Sequence, residues 1–190
     1  MSGNKDLLRI RFLSFRKNLS SYDVFIKSWF AQENFLNSIF FSKSKAIGVY
    51  YPILNEVQTF RIIRKSLLLK KRVCLPRMQD GKITFHSITN LNNLKTGKYN
   101  IKEPLLKVNY ECENIDTLIT PGIVFDRLGY RIGYGKGYYD GFLERFSKSK
   151  NNITSIGLGY EFQIILEFIP YEPHDIKLDV LITNKEIVLT

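Results

Sequence analysis

The apolar positions fall first at helical spacing and then in short runs. Leu8, Phe12, Phe15 and Leu19 form one stripe, which predicts an amphipathic helix over about residues 4–18 with a basic outer face. A second helix is predicted over about 22–41, opening at Ser21 with Asp23 in its first turn. Its expected buried side is Ile26, Trp29, Phe30, Leu36, Ile39 and Phe40. The period then changes. Residues 46–51 read as a strand closed by Pro52, and Asn55 is placed to cap a helix whose face is Phe60, Ile63 and Leu67. Residues 72–75 read as the next strand, ending at Pro76, so 46–76 has the pattern of a βαβ unit.

Farther along, 83–85 suits an edge strand and 89–100 a polar loop. Residues 117–120 are apolar and β-branched, stopped by Pro121 and Gly122. Tyr139, Phe142, Leu143 and Phe146 fall at i, i+3, i+4 and i+7, so a helix should begin near Gly137 or Tyr138. Further strands are expected at 155–158, 178–183 and 187–189. Such alternation predicts one α/β domain over 1–190, a three-layer α/β/α sandwich with a mostly parallel central sheet. Ligands of these sheets gather at the carboxyl ends of strands, here the loops after Tyr51, Thr120 and Leu158. Glu56, Phe125, Asp126 and Glu161 would then converge on one cleft.

Composition adds bounds to that picture. A chain of 190 residues, 44% hydrophobic, can bury a substantial core as a single domain. Cys74 and Cys112 are far apart and match no metal spacing, so neither a zinc site nor a disulfide is expected, and a reducing, cytoplasmic setting suits them. The net charge of +10 invites a nucleic-acid reading. Against it, the basic residues are spread along the chain, with only short clusters such as Lys70, Lys71 and Arg72, and an anionic small molecule explains the charge equally well. No apolar run approaches the roughly 20 residues that cross a bilayer. The cations at Lys5, Arg9, Arg11, Arg16 and Lys17 precede no continuous apolar stretch of a secretory signal, and a mitochondrial transit peptide is a weaker alternative to the folded amphipathic helix.

The chemistry concentrates at GYRIGYGKGYYDGFL, residues 129–143. Glycines at 133, 135 and 137 allow positive φ and let several N–H groups converge on one anion, with Lys136 adding a mobile charge. The following helix would aim its N-terminus at the same point. Two commoner loops do not fit. A Walker loop would need Gly at Tyr130 and Ser or Thr at Gly137, and a dinucleotide fingerprint would need Gly at Tyr138. On spacing alone the alternatives are a phosphate loop and a glycine-rich turn between strand and helix.

PGIVFDRLGYRIGYGKGYYDGFL closely resembles the signature of the 5-formyltetrahydrofolate cyclo-ligase family. Lys5, Leu8 and Arg9 resemble its basic entry motif, and YYPILNEVQT at 50–59 its strand, loop and acidic motif. RVCLPR at 72–77, GKYNIKEP at 97–104 and HDIKLDVLIT at 174–183 follow in the family's order. The resemblance implies a monomeric or loosely associated α/β enzyme that uses ATP and Mg2+ to convert 5-formyltetrahydrofolate, with or without a polyglutamate tail, to 5,10-methenyltetrahydrofolate. No nucleic-acid or membrane partner is implied. By the same resemblance Lys5, Arg9, Arg131, Gly133, Gly135, Lys136, Gly137, Tyr138 and Tyr139 would bind ATP, with Lys136 and Arg131 catalytic. Tyr51, Glu56, Tyr99 and Tyr139 would contact the folate, and Asp140 and Asp175 the magnesium. Tyr134 departs from the pattern, since many relatives carry Arg there, so a phosphate contact would have to come from Arg131 or Arg127. Asp126 either meets substrate or braces the loop. His174 is a candidate acid that the chemistry does not require, and His86 has no expected role.

Overall fold

The structure, a computed structural model, describes residues 2–105, 112, 114–147 and 153–190, and the side chains of 2, 3, 98, 146 and 147 lie outside that set. Phe146, expected on the last helical stripe, therefore contributes only backbone here. The first helix, α1, spans Ser2–Lys17. Its inward face differs from the apolar stripe expected. Phe12 is buried, but Phe15 is 45% exposed while Arg16 is 1% exposed. Lys5, Arg9, Phe12 and Arg16 succeed one another at i, i+4, i+7 and i+11, so one face of α1 carries three cations toward the protein.

The second predicted helix is two, α2 at Ser21–Leu36 and α3 at Ile39–Lys43. Ser20 caps the first by accepting from the Asp23 N–H, and Ser38 restarts the chain by accepting from the Phe41 N–H. The buried side of α2 is Val24, Ser28, Ala31, Gln32 and Phe35, whereas Trp29 and Phe30 remain 40% and 51% exposed. The correction has a polar cause. Ser28 Oγ accepts from the Gln58 N–H and Gln32 Oε1 from the Arg61 N–H, both at 2.9 Å. These side chains satisfy donors at the start of α4, Phe60–Leu68, which Asn55 was expected to cap. Asn55 instead sits at φ 58° and donates to the Arg16 carbonyl. Trp29 is covered from outside by the Arg61 guanidinium, 3.4 Å from its ring centre.

The strands are β1 Ala46–Val49, β2 Arg72–Gln79, β3 Lys82–Ile88, β4 Leu94–Thr96, β5 Lys102–Pro104, β6 Thr117–Thr120, β7 Val124–Asp126, β8 Arg131–Ile132, β9 Thr154–Leu158, β10 Ile164–Ile165, β11 Val180–Ile182 and β12 Ile187–Leu189. Helix α5, Tyr138–Ser147, begins where the spacing placed it. Seven strands form the central sheet in the order β12-β11-β9-β6-β1-β2-β3. Its five inner strands are parallel and its two edges antiparallel. Ile47, Val49, Ile119 and Ile156 face a core with Ala31, Phe35, Ile62 and Ile63 from α2 and α4. Leu118, Leu181 and Cys74 face Phe142 and Leu143 of α5 on the other side. The result is the expected three layers.

β2 does not stop at Pro76. Beyond Cys74 it leaves β1 and pairs only with β3. The Met78 N–H points away from β3 to Glu103 at 3.3 Å, so the proline two residues earlier lacks its donor on that same open side. Cys74 and Cys112 are joined as a disulfide, correcting the expectation of two free thiols. A separation of 38 residues gave no signature, and the contact depends on the chain returning along β3, where the Cys112 N–H donates to the Phe85 carbonyl.

Phe125 of β7 is packed where the backbone is stripped of side chains. A Cβ on Gly122, Gly157 or Gly159 would come within 2.3, 2.7 or 2.8 Å of its ring. Replacing Phe125 with Ala should cost about 3–5 kcal/mol of unfolding free energy, measured by urea titration, because rigid strands cannot collapse into the cavity. Among the described residues no helix is long and apolar enough to cross a membrane.

Candidate active site

β1 and β6 lie side by side, and the chain leaves them in opposite directions, to β2 on one side and β9 on the other. A crevice opens at the carboxyl ends of two strands so connected. It leads into a cavity of ≈ 870 Å³, lined by Tyr50 and Tyr51 after β1 and by Pro121 and Gly122 after β6. α1, the glycine loop, the β2–β3 hairpin and the segment around Tyr99 close its sides.

Glu56 is 4% exposed within this cavity. The Ile53 N–H donates to its Oε2 at 3.0 Å and the Tyr134 hydroxyl to its Oε1 at 3.2 Å, with an Arg16 guanidinium nitrogen 3.9 Å away. Burial raises its carboxyl above the ordinary range, although Arg16, the Ile53 N–H and Tyr134 each pull the other way. Arg16 in turn donates to the Leu54 carbonyl at 3.0 Å, to the Gly122 carbonyl at 3.3 Å and to the Tyr134 hydroxyl. One buried guanidinium thus ties α1 to the loops after β1 and β6.

The glycine loop runs from the end of β8 to α5. Gly135 and Gly137 have φ of 86° and 63°, values that a side chain would strain. The Gly133 carbonyl accepts from Arg9 Nε at 2.9 Å, so α1 holds one shoulder of the loop. Lys136 is exposed, lines the cavity, and has no hydrogen bond or ion pair among the described residues. Tyr138 opens α5, with its hydroxyl 3.5 Å from that of Tyr99. Tyr139 turns its ring toward Phe85, centroids 6.3 Å apart, and burial pushes its hydroxyl far above the usual range. Tyr51 packs edge-on against Phe60 at 5.3 Å.

Asp140 lies in the first turn of α5, yet it bonds away from its own helix. Its Oδ1 accepts from the Ile176 N–H and lies 3.1 Å from Arg131 Nη1. Asp175, one residue earlier than Ile176, accepts from Lys5 Nζ at 2.6 Å and from the Glu172 N–H at 2.8 Å. Burial alone would raise the Asp175 carboxyl, but the Lys5 ammonium and the Glu172 N–H bring it below the ordinary value. Each carboxylate leaves one oxygen, Asp140 Oδ2 and Asp175 Oδ1, open among the described residues.

Of the four residues expected to converge after the strands, only Glu56 lines the cavity. Phe125 is core, and Glu161 pairs with Lys27. Asp126 braces its own turn, accepting from the N–H groups of Leu128, Tyr130 and Ile169. Arg127 is bound to Glu186 at 2.7 Å and does not line the cavity. His174 is exposed at the rim, 3.7 Å from Glu172, while His86 is buried beside Thr84. Arg16, Arg77, Met78 and Glu103 line or support the site without having been singled out. Arg16 shares the Lys5 and Arg9 face of α1, a spacing that the sequence does show. Arg77 and Glu103 meet only through the β2–β5 contact, which has no local signal.

Fold and cavity together define an α/β domain with a cavity at the switch point of a parallel sheet. Within that class, the chain belongs to the 5-formyltetrahydrofolate cyclo-ligase family, whose model matches residues 1–184, and it is accordingly a ligase of folate metabolism. It is 32% identical over 168 residues to a probable 5-formyltetrahydrofolate cyclo-ligase of Caenorhabditis elegans, spanning 83% of this chain and 81% of that one. It is 30% identical to the mitochondrial 5-formyltetrahydrofolate cyclo-ligase of Arabidopsis thaliana, over 91% of this chain and 72% of the other. The solution structure of Aquifex aeolicus 5,10-methenyltetrahydrofolate synthetase superposes with a TM-score of 0.84 at 32% identity, covering 97% and 92% of the two chains. The synthetase of Mycoplasma pneumoniae, 24% identical with a TM-score of 0.70, shares the fold.

Proposed function

We propose that the protein uses ATP and magnesium to cyclise 5-formyltetrahydrofolate to 5,10-methenyltetrahydrofolate, releasing ADP and phosphate. The supporting observation is one cavity with a buried carboxylate, Glu56, on one wall and a glycine loop with an exposed Lys136 on another. A carboxylate accepts two parallel N–H donors, which the amino group and ring N–H of a pterin supply. The rings of Tyr51, Tyr99 and Tyr139 offer apolar faces to the rest of the folate. Lys5, Arg9, Arg131 and Lys136 line the same cavity as the glycine loop from Gly133 to Tyr138, where they would meet the ATP phosphates.

The chemistry requires that arrangement. The formyl group on N5 is an amide, and its oxygen leaves badly. Transfer of the γ-phosphoryl group to that oxygen forms an O–P bond and breaks the bond to ADP. The N10 lone pair then attacks the formyl carbon, N10 gives up its proton, and the C–O bond breaks with phosphate as leaving group. Lys136 offsets the charge that develops on the transferring group, and the cavity walls hold N10 and the formyl carbon in reach.

Magnesium usually takes one or two carboxylates and completes its octahedron with water and phosphate oxygens, so Asp140 and Asp175 fit it through their open oxygens. Bound there, it would supply positive charge against the phosphates of the nucleotide. Before ligands arrive, Lys5 neutralises Asp175 and Arg131 neutralises Asp140. With the metal on Asp175, Lys5 would be free to pair with a phosphate oxygen instead.

Glu56 sets a pH dependence. Its carboxyl is raised, so it gains a proton at a pH above the ordinary carboxylate range and then cannot accept from both pterin donors. kcat/KM for 5-formyltetrahydrofolate should therefore fall as pH decreases through that raised value, while kcat/KM for ATP falls less. Equal acid limbs for the two substrates would remove Glu56 from folate recognition. The function itself is tested with purified protein, 5-formyltetrahydrofolate, ATP and magnesium, following the methenyl product by its near-ultraviolet absorbance. Product that requires ATP supports the reading, and its absence from a folded, ATP-binding protein refutes it.

A further inference from the structure

Tyr134 lies inside the glycine loop, between Gly133 and Gly135, and its hydroxyl is directed at Glu56 and Arg16. It donates to Glu56 Oε1 at 3.2 Å and accepts from Arg16, whose guanidinium also lies 5.6 Å from the centre of the Tyr134 ring. A tyrosine hydroxyl has one proton, and here that proton goes to the carboxylate. The loop that would receive the nucleotide and the acid that would receive the pterin therefore share a single hydrogen bond. No other side chain of the loop from Gly133 to Gly137 bonds to the Glu56 network, since Lys136 makes no hydrogen bond among the described residues and the rest are glycines.

We infer that Tyr134 is a positioning residue that couples the two halves of the cavity, so that nucleotide on the glycine loop strengthens folate binding at Glu56. The inference rests on the ATP and folate reading above. The physical argument starts from the loop. Gly135 and Gly137 give it backbone freedom, and Gly133 is tied to Arg9 by its carbonyl alone. A phosphate gathered by the loop N–H groups fixes that backbone and with it the position of the Tyr134 hydroxyl. The fixed hydroxyl holds Glu56 ionised and oriented, which is the form that accepts two N–H donors. Linkage makes the effect mutual: folate must strengthen nucleotide binding by the same factor.

The hydroxyl also bears on proton affinity. Its bond to Glu56 favours the carboxylate, opposing the effect of burial. Removing it should move the acid limb of folate binding to higher pH, a response that a purely structural tyrosine would not give. Tyr134→Phe keeps the ring and its contact with Arg16 and removes only the hydroxyl that Arg16 and Glu56 share.

The test measures 5-formyltetrahydrofolate binding by calorimetry, with and without saturating magnesium and a non-hydrolysable ATP analogue, in wild type and Tyr134→Phe. In wild type the analogue should lower the folate Kd by about tenfold, within the ordinary range of coupling between sites. In Tyr134→Phe that ratio should approach one, with the Kd of the analogue alone unchanged and the acid limb of folate binding displaced upward. Wild type that binds both ligands with a ratio of one, or a variant that keeps the full ratio, overturns the inference alone. Failure of wild type to bind folate under any condition overturns the functional reading, and this inference with it.

Discussion

Lys136→Ala should lower kcat by about 10²–10³-fold while leaving the unfolding free energy within about 0.5 kcal/mol of wild type. The two halves of that expectation have separate causes. Lys136 is exposed and makes no hydrogen bond or ion pair among the described residues, so its loss removes no packing and leaves no buried group unpaired. Its proposed work is done on the transferring phosphoryl group, where charge changes between ground state and transition state. A donor that acts there alone lowers kcat and kcat/KM together. A variant with raised KM for ATP and unchanged kcat would make Lys136 a binding residue only.

Glu56→Gln should raise the KM for 5-formyltetrahydrofolate by about a hundredfold or more, read from initial rates at saturating ATP. The amide keeps the shape and can still accept from the Ile53 N–H or the Tyr134 hydroxyl. It presents an N–H where the pterin also presents one, and two donors facing each other in a buried site cost more than the loss of one bond. The acid limb of folate kcat/KM should vanish in the same variant, because the titrating group is gone. A variant that keeps both the KM and the acid limb would assign the raised carboxyl to structure rather than recognition.

How much of this was legible in the chain depends on the range over which each signal acts. The parallel sheet followed from alternating runs, and α5 from Tyr139, Phe142 and Leu143, because both patterns are local. The glycine loop was legible for the same reason. The orientation of α2 was not: Ser28 and Gln32 are buried to satisfy backbone donors 30 residues away, so a reading by hydrophobicity turned Trp29 and Phe30 inward instead. Arg16 failed the same test in reverse, as a cation taken for solvent that is the most buried link between α1 and the cavity. The Cys74–Cys112 bond and the approach of Glu103 to Arg77 and Met78 exist only once β3 and β5 fold back on β2. Asp126, matched with the signature, braces its own turn and the Ile169 N–H without lining the cavity. The site residues that the resemblance named line one cavity, and tertiary contacts distinguish those that face it from those that hold its walls.

The fate of the formyl oxygen tests the proposed chemistry most directly. Substrate labelled with oxygen-18 in the formyl group is converted with unlabelled ATP, and the released phosphate is analysed by mass spectrometry. Phosphorylation of that oxygen followed by attack of N10 predicts one labelled oxygen in each phosphate released with methenyl product. Product accompanied by unlabelled phosphate would contradict it, because ATP would then be spent somewhere other than on the formyl group.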